Sequence, residues 1–393
     1  MSPSASSSDF STSKKRPVDR LLELRLWHHF TTSTYKTLLT NDPAANIVWR
    51  NEVPAIAFDG RKYLADALLA VTALHLRSQC PDDRRLVHAC HAYSASALED
   101  YLATLNGGIN ADNAEALFLT SSMIAFHACA SRIFIKDDGE TTPNPVNGGS
   151  KYTVPTAWFH AFQGVKTVVA TSWQWIRHSQ TAKAIIDSQP SFQLDMNPLT
   201  SASFFGHLLR DLEQETVNET PQERFFTNQG YYHAVSVLNW AHRTPYPPSP
   251  LAFPATVSKR FIELVEMRRP RALAILACFF ALLKRMEGVW WLGDVARREV
   301  MGLVSLFNPG SDWWRHLEWP IRIALYDGDL PIPSGVWGIV CEERTAEDKG
   351  LTESMMVHIE MLAKMNDGEP TGPGSPVASL TDDLPGLAAV PLD

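Results

Sequence analysis

One short segment of this chain combines acidic and basic side chains closely enough to handle a charged ligand. It reads Asp137-Asp138-Gly139-Glu140 and follows Arg132 and Lys136. Carboxylate oxygens are the ligands that Mg²⁺ prefers, and nearby cations neutralise a bound anionic group. The segment predicts a magnesium site at Asp137 and Asp138, with Arg132 and Lys136 binding the substrate. Its Gly- and Pro-rich surroundings favour the other interpretation, a solvated surface loop, and both interpretations stay open.

Aromatic side chains are the second chemical resource, since the chain has twelve tryptophans. Ring faces stabilise positive charge without offering a base or a water molecule, and large rings also shape apolar pockets. Buried aromatic residues dominate ordinary protein cores as well, so each ring taken alone fits a packing role. We predict a deep apolar pocket whose catalytic wall is formed by Trp158, Trp173, Phe279, Trp290 and Trp291.

Several other chemistries lack their sequence signatures. The chain has no P-loop, no dinucleotide glycine fingerprint and no Gly-x-Ser-x-Gly nucleophile elbow. A two-zinc cluster needs six closely spaced thiolates, whereas the five cysteines here are scattered far apart. His88 and His91 are three residues apart but belong to no His-Glu-x-x-His pair, so they fit ordinary helix-face positions. These 393 residues therefore cannot form a zinc-cluster DNA reader.

Composition limits the partners. The formal net charge is −8 and the pI is near 5.9, which argues against a generic phosphate-backbone binder, and we predict no direct nucleic-acid binding. Isolated cysteines favour a reducing compartment, and residues 1–13 lack the apolar core of a secretory signal. The longest apolar run, Ala272 to Leu283, is too short for a bilayer span. We predict a cytoplasmic protein without a membrane span.

Helical spacing of apolar residues recurs along the chain, whereas alternating strand patterns are scarce. The pattern predicts an all-α fold with a single large helical domain around an apolar pocket. We expect a disordered polar arm over residues 1–19, the helical domain over 20–365 and a flexible Gly-, Pro- and acid-rich tail over 366–393.

Two helices carry more detailed expectations. The run Ala272 to Leu283 is apolar on all sides, which predicts a central helix surrounded by others, with Pro270 near its first turn. Asp112 and Glu115 have the spacing of a capping box, which predicts a helix start at Asp112.

The opening segment Leu21–Thr32, which reads LLELRLWHHFTT, resembles the start of the effector domain in fungal zinc-cluster regulators of the sterol uptake control type. The resemblance covers about residues 20 to 325 and implies a helical cup that holds a sterol. Gln163-Gly164 departs from it, since an Arg-Gly pair is expected there. Its later landmarks follow in order as Ala70 to Leu76, Asn113 to Phe118, Trp158-Phe159, Pro270 to Leu283, Trp290-Trp291 and Trp319-Pro320.

The chain also resembles the unconventional fungal alpha-humulene synthases of tropolone sesquiterpenoid pathways, which look like the same domain without a DNA-binding head. This second resemblance implies a terpene cyclase, a carbon–oxygen lyase of secondary metabolism. It would use Mg²⁺ to convert farnesyl diphosphate into a humulene-type hydrocarbon. We predict this enzyme, because a pocket domain that lacks a DNA-binding head is retained for the function of the pocket itself. The alternative is a headless, regulator-like module that binds a sterol or other lipid and acts through a DNA-binding partner. The oligomeric state stays open.

Overall fold

The computed structural model describes residues 19–38, 43–134, 152–188, 194, 198, 203–328 and 331–338. Every regular element within these ranges is helical, so the predicted all-α fold is confirmed. The α-helices are α1 (Arg20–Thr32), α2 (Pro43–Ile47), α3 (Val53–Phe58), α4 (Lys62–Gln79), α5 (Arg84–Asn106), α6 (Ala114–Ala130), α7 (Thr156–Ile176), α8 (Gln180–Asp187), α9 (Leu212–Glu215), α10 (Pro221–Arg243), α11 (Ala252–Thr256), α12 (Lys259–Glu266), α13 (Pro270–Leu282), α14 (Val295–Val304), α15 (Trp314–Ala324) and α16 (Ser334–Trp337).

Shorter turns connect or extend these helices. They are the 3-10 turns Thr34–Thr37, Ser131–Phe134, Gly206–Leu209, Ser249–Leu251 and Leu283–Met286, and the π-helical turn Val48–Glu52. The predicted limits of the helical domain stay predictions, because residues 1–18 and 339–393 lie outside the described ranges.

Helix α13 is the most enclosed element that the sequence predicted. Pro270 occupies its first turn, where the missing N–H costs no helical hydrogen bond. Every residue from Arg271 to Leu282 is buried, and the helix packs against α10, α12, α14 and α15. The prediction of a central helix is confirmed, because a cylinder that is apolar all round must be covered on every side.

Helices α4 and α5 form an antiparallel pair with the most extensive contact in the molecule's described part. The α4 residues from Tyr63 to Leu76 are buried apart from Ala65, so neighbours cover this helix on several sides. At the start of α5, the carboxylate of Asp83 accepts a hydrogen bond from the backbone N–H of Arg85. This bond caps the start of α5. The short turn before it reverses the chain, so that α5 runs back along α4.

The buried apolar residues form two clusters. The first core surrounds α13 and includes parts of α10, α12, α14 and α15. The second core lies among α3, α4, α6, α7 and α8. Trp27 of α1 and Phe126 of α6 are half-buried and pack against both. These two rings therefore mark the junction between the cores.

The predicted capping box at the start of α6 is wrong. The helix begins at Ala114, and Asn113 precedes it without a capping bond from its side chain. The Asn110 side chain instead accepts a hydrogen bond from the N–H of Asp112, and Glu115 bonds to the hydroxyl of Ser179. A local turn around Asn110 has therefore replaced the cap, since Asn side chains readily bond to backbone two residues on.

The helical stretch Ala114–Phe134 is long and apolar enough for a membrane span by length and composition, and it is one such stretch among the described residues. Half of its most apolar window is buried inside the fold. Core helices of globular proteins pass the same test, so this signal is weak.

Candidate ligand-binding site

The imidazole of His75 contacts rings from α1 and from the segment after Met286. It projects from α4 and is 4% exposed. Its Nδ1 lies 3.0 Å from the hydroxyl oxygen of Thr34, and its Nε2 lies 3.2 Å from the amide nitrogen of Gln79. An amide N–H₂ can only donate, so Nε2 accepts and the ring proton is assigned to Nδ1, which donates to Thr34.

Two rings contact this imidazole, and two more extend the group. Trp290 stacks on His75 with ring centroids 4.8 Å apart and an interplanar angle of 21°. His29 of α1 lies 5.0 Å away on centroids. Phe126 lies 6.3 Å from Trp290 and 5.0 Å from Trp291. We call these five residues the junction cluster, namely His29, His75, Phe126, Trp290 and Trp291.

Burial keeps both imidazoles of the junction cluster neutral at physiological pH. Desolvation lowers the pKa of His75 to about 4, and the nearby His29 lowers it further. Desolvation also lowers the pKa of His29, with smaller effects from Arg25 and His28. The cluster therefore offers rings and neutral hydrogen-bonding groups rather than cations, which suits an uncharged ligand.

Three nitrogens of the junction cluster are buried and have no hydrogen-bond partner among the described residues. They are Nε1 of Trp290, Nε1 of Trp291 and Nε2 of His29. An indole N–H can only donate, and a buried donor left unpaired costs about 1–3 kcal/mol. A hydroxyl or carbonyl oxygen placed between these rings would accept from them. The cluster therefore combines aromatic rings with buried nitrogens that have no hydrogen-bond partner among the described residues.

A thiol and an imidazole lie close together between α5 and α6. The Sγ of Cys90 is 3.2 Å from Nε2 of His127. Burial raises the pKa of the Cys90 thiol to about 11 and lowers the pKa of His127 to about 4. Both groups are therefore neutral, and the pair lacks the thiolate that a cysteine nucleophile requires.

A concave surface lies where the start of α4 meets the end of α5. It is an open groove of about 550 Å³. Its ammonium group, Lys62 Nζ, lies 2.6 Å from Asp100 and 3.3 Å from Asp66, and Arg61 donates to the carbonyl of Asp112. These charges are already paired, so the groove differs from the apolar pocket that the sequence predicted.

Comparison with known proteins identifies relatives along most of the chain, although no profile of a known protein family matches it. A "Zn(2)-C6 fungal-type transcription factor" of Gibberella zeae is 60% identical over 362 residues, which cover 92% of this chain and 73% of the relative. The chain belongs to the Zn(2)-C6 fungal-type transcription factor family.

More distant relatives of this family extend the comparison. The Zn(2)-C6 fungal-type transcription factor afumD of Aspergillus fumigatus is 27% identical over 65% of each chain. Sterol uptake control protein 2 of Candida albicans is 23% identical over 74% of this chain and 41% of its own length. The chain thus spans less than two thirds of these two relatives. The resemblance to sterol uptake control regulators is confirmed, whereas the narrower resemblance to humulene synthases is not.

The family assignment corrects the prediction of an enzyme. The relative that is 60% identical is a transcription factor, so the predicted terpene cyclase, with its lyase chemistry on farnesyl diphosphate, is wrong. The missing zinc cluster misled the sequence argument, because it suggested that the pocket had been retained for catalysis. The alternative reading as a regulator-like module agrees with all of these relatives.

The structure places the five predicted wall residues in three separate parts of the fold. Trp290 and Trp291 belong to the junction cluster. Trp158 and Phe279 are almost fully buried in the first core, with ring centroids 6.4 Å apart. Trp173 packs half-buried against the second core. The structure therefore brings together two of the five predicted residues.

The predicted anion-binding residue Arg132 is already occupied. Its Nε and Nη2 donate to the two oxygens of Glu299 at 2.8 and 3.0 Å, and Nη2 also donates to the carbonyl of Thr153. Lys136, Asp137 and Asp138 lie outside the described residues, so the magnesium site stays a prediction. Within the described ranges, no group of three or more His, Cys, Asp or Glu side chains is arranged to hold a metal ion.

Sequence reasoning missed His29, His75 and Phe126 as site residues. His29 belongs to the opening motif, and His75 to the landmark Ala70 to Leu76, so both were visible but fitted packing roles. The available signal was the pair of histidines within otherwise apolar landmarks. His75 contacts Trp290, which lies more than two hundred residues further along the sequence. The spacing of residues within the sequence does not show such a contact.

Proposed function

We propose that this chain is the ligand-responsive effector domain of a fungal transcription regulator, and that its ligand is a sterol or a similar lipid with one hydroxyl group. The observation that carries the proposal is the junction cluster, in which aromatic walls enclose three unpaired nitrogens. A lipid ring system would cover the rings, and its hydroxyl would accept from an indole N–H.

Two further observations support a sterol-like ligand. The distant yeast relatives are named sterol uptake control proteins, which associates this type of domain with sterols. The neutral imidazoles of His29 and His75 favour an uncharged ligand over a phosphate or a carboxylate.

The proposal also covers where and how the domain acts. Membership in a transcription-factor family supports a nuclear or cytoplasmic location. The five cysteines of these residues cannot form a six-thiolate cluster, so the domain would act through a zinc cluster carried outside these residues or on a partner. The absence of direct nucleic-acid binding by these residues stays a prediction.

Binding of dehydroergosterol tests the proposal directly. Its own emission anisotropy rises on binding when it is excited directly, so loss of a tryptophan does not disturb the readout. Trp290→Phe keeps an aromatic ring but removes the N–H, and we expect about tenfold weaker binding, as for the loss of one buried hydrogen bond. Trp314→Phe is the matched control, since Trp314 is 38% exposed and is not part of the junction cluster.

Two results would contradict the proposal. The first is that the wild-type chain fails to bind dehydroergosterol at concentrations at which the emission of the sterol is clearly above that of a blank without sterol. The second is that Trp290→Phe and Trp314→Phe bind it equally well. Competition by ergosterol, but not by an alkane of similar size, would show that the hydroxyl contributes.

A further inference from the structure

Helix α1 exposes apolar side chains on the side opposite its buried face. Leu22, Leu26 and Phe30 are buried, whereas Leu21 and Leu24 are 74% and 56% exposed. Residues three apart are neighbours on a helix surface, so the two exposed leucines lie side by side. A contiguous exposed apolar patch commonly marks a surface that binds a partner.

Phe58, at the end of α3, enlarges this patch. Its ring is 66% exposed, and its centroid lies 4.6 Å from that of Trp27, which is half-buried on α1. Trp27 is three residues after Leu24 and so adjoins it on the helix. We call the surface formed by Leu21, Leu24, Trp27 and Phe58 the α1 face. Leu21 and Phe58 are the two most exposed large apolar side chains that the structure describes, so a partner here would remove apolar surface from water.

The described part of the chain ends near a path of contacts that leads to α1. The ring of Trp337 lies 4.7 Å from the guanidinium carbon of Arg285. Arg285 is five residues before Trp290 in the sequence. Trp290 stacks on His75, which in turn contacts the ring of His29 on α1. The chain therefore leaves the described residues on the side of the fold from which this path begins.

Residues 339–350 are long enough to connect this point to the α1 face. At about 3.3 Å per residue, they span up to about 40 Å when extended. A domain of about 300 residues has a radius of gyration of about 19 Å, so this reach is about twice that radius. The residues that follow can therefore lie against α1.

The sequence after this connection predicts a helix with an apolar stripe. Residues 351–367 form the longest run outside the described residues that contains neither Gly nor Pro. Leu351, Met355, Ile359 and Leu362 recur within it at intervals of three and four residues, as along one face of a helix. Methionine side chains adapt readily to irregular apolar surfaces.

Other segments outside the described residues fit the α1 face less well. Residues 1–18, 135–151 and 368–393 are rich in Ser, Gly or Pro, which disfavours a helix of this length. Helix α1 itself has 13 residues and is about 20 Å long. A helix over residues 351–365 would be about 22 Å long and would match it.

We propose that residues 351–365 form a helix that packs its apolar stripe on the α1 face of the same molecule. Packing the two apolar surfaces together removes both from water, as when an amphipathic helix binds a hydrophobic surface. The connection also holds the segment at a local concentration of about 1 mM. A contact with an intrinsic dissociation constant of about 100 μM would then be about 90% formed. It would join the end of the helical domain to the helix that supplies His29 to the junction cluster.

Alkylation of an introduced thiol tests whether this segment covers the α1 face. In the full chain, the thiol of Leu24→Cys should react about tenfold more slowly than in the same chain carrying Met355→Asp/Leu362→Asp. The two carboxylates would disrupt the apolar stripe, whereas an intact segment leaves the thiol free about 10% of the time. Peptide mass spectrometry follows each thiol separately, so the native cysteines stay in place.

Two controls separate docking from general effects of the substitutions. The thiol of Val217→Cys, at a position that is 63% exposed and outside the α1 face, should react at the same rate in both chains. Glu353→Gln/Glu360→Gln changes the opposite side of the predicted helix and should leave the Leu24→Cys thiol slow to react. Circular dichroism of each variant confirms that the fold is retained.

Three outcomes would overturn the proposal. The first is that the Leu24→Cys thiol reacts at one rate with and without Met355→Asp/Leu362→Asp, because the face is then open or covered by something else. The second is that its protection is lost on dilution, which would assign the face to a second copy of the chain. The third is that Glu353→Gln/Glu360→Gln releases the thiol as fully as the apolar-stripe variant does.

Discussion

Glu299 is a fully buried carboxylate whose two oxygens are both hydrogen-bonded. Arg132 donates to each oxygen, Arg298 donates to Oε1 at 2.8 Å, and the Tyr152 hydroxyl donates to Oε2 at 2.6 Å. The nearby carboxylate and burial together raise the pKa of Tyr152 well above its ordinary value. These bonds tie the turn after α6 to α14.

We expect Glu299→Gln to lower the free energy of unfolding by about 3 kcal/mol, because two partly buried guanidinium groups would lose a fully buried counter-charge. Urea denaturation at neutral pH measures this change. Glu318→Gln on the exposed surface of α15 is the control and should stay within about 0.5 kcal/mol of the wild type. Equal losses in the two variants would show that this network does not stabilise the fold.

Single-residue predictions from the sequence failed where a distant partner decided the outcome. Arg132 has the chemistry of an anion-binding residue, and it does bind a carboxylate. That carboxylate belongs to Glu299, 167 residues further along the chain. Nothing near Arg132 in the sequence indicates this pairing, because it depends on how α14 packs.

At the scale of helices, the start of α10 carries the capping box that the sequence analysis placed at α6. The Thr220 hydroxyl accepts from the N–H of Glu223 at 3.2 Å, and the Glu223 carboxylate accepts from the N–H of Thr220 at 2.9 Å. Pro221 occupies the first helical position, where its fixed φ suits the helix. The N–H groups of Thr220 and Glu223 at this helix end are thereby both hydrogen-bonded.

The two helix starts give a matched pair of variants. Thr220→Ala should cost about 1 kcal/mol of unfolding free energy, because the N–H of Glu223 loses its acceptor. Asp112→Ala should cost less than about 0.5 kcal/mol, because the turn before α6 uses the Asn110 side chain instead. Thermal or urea unfolding of both variants measures the difference, and the reverse order would contradict the described caps.

Helix existence followed from sequence more reliably than helix ends. Apolar residues repeat strongly enough in Ala272 to Leu283 to predict burial on all sides, and α13 has it. Ends depend on which of several nearby polar side chains reaches the backbone, and at α6 Asn110 does so rather than Asp112.

At the scale of the whole molecule, buried imidazoles link stability to pH. Desolvation lowers the pKa of His233 to about 3 and that of His242 to about 4, from an ordinary value of 6.5. Both residues are at most 2% exposed. The folded state therefore holds them neutral at a pH where the unfolded chain takes up protons.

Proton uptake by the unfolded chain decides how the free energy of unfolding changes with pH. Between about pH 6.5 and pH 4 the unfolded state binds more protons, so stability falls as the pH falls and is fully present above pH 6.5. We expect each residue to contribute roughly 1.4 kcal/mol per pH unit below pH 6.5. Urea unfolding at about pH 7 and pH 5.5 measures the fall. His242→Gln, whose amide can still donate to the Trp337 carbonyl, should reduce the slope; an unchanged slope would contradict this account.

The assembly of the candidate site belongs to this largest scale, which explains why sequence predicted only part of it. Trp290 and Trp291 stood out as a pair, but His29 and His75 gain their positions from α1 and α4 meeting the segment after Met286. Two cores must pack before those rings meet. A linear pattern predicts the faces that are buried, not which distant faces adjoin.

The exposure of Cys80 makes a position next to the site accessible to chemical labelling. Of the four cysteines that the structure describes, Cys80 is exposed and the other three are buried. Cys80 directly follows Gln79, whose amide holds the ring of His75. A maleimide fluorophore attached there would sit beside the junction cluster without replacing any of its members. In a chain that carries Cys341→Ser, its emission would report ligand binding in real time and without a fluorescent ligand.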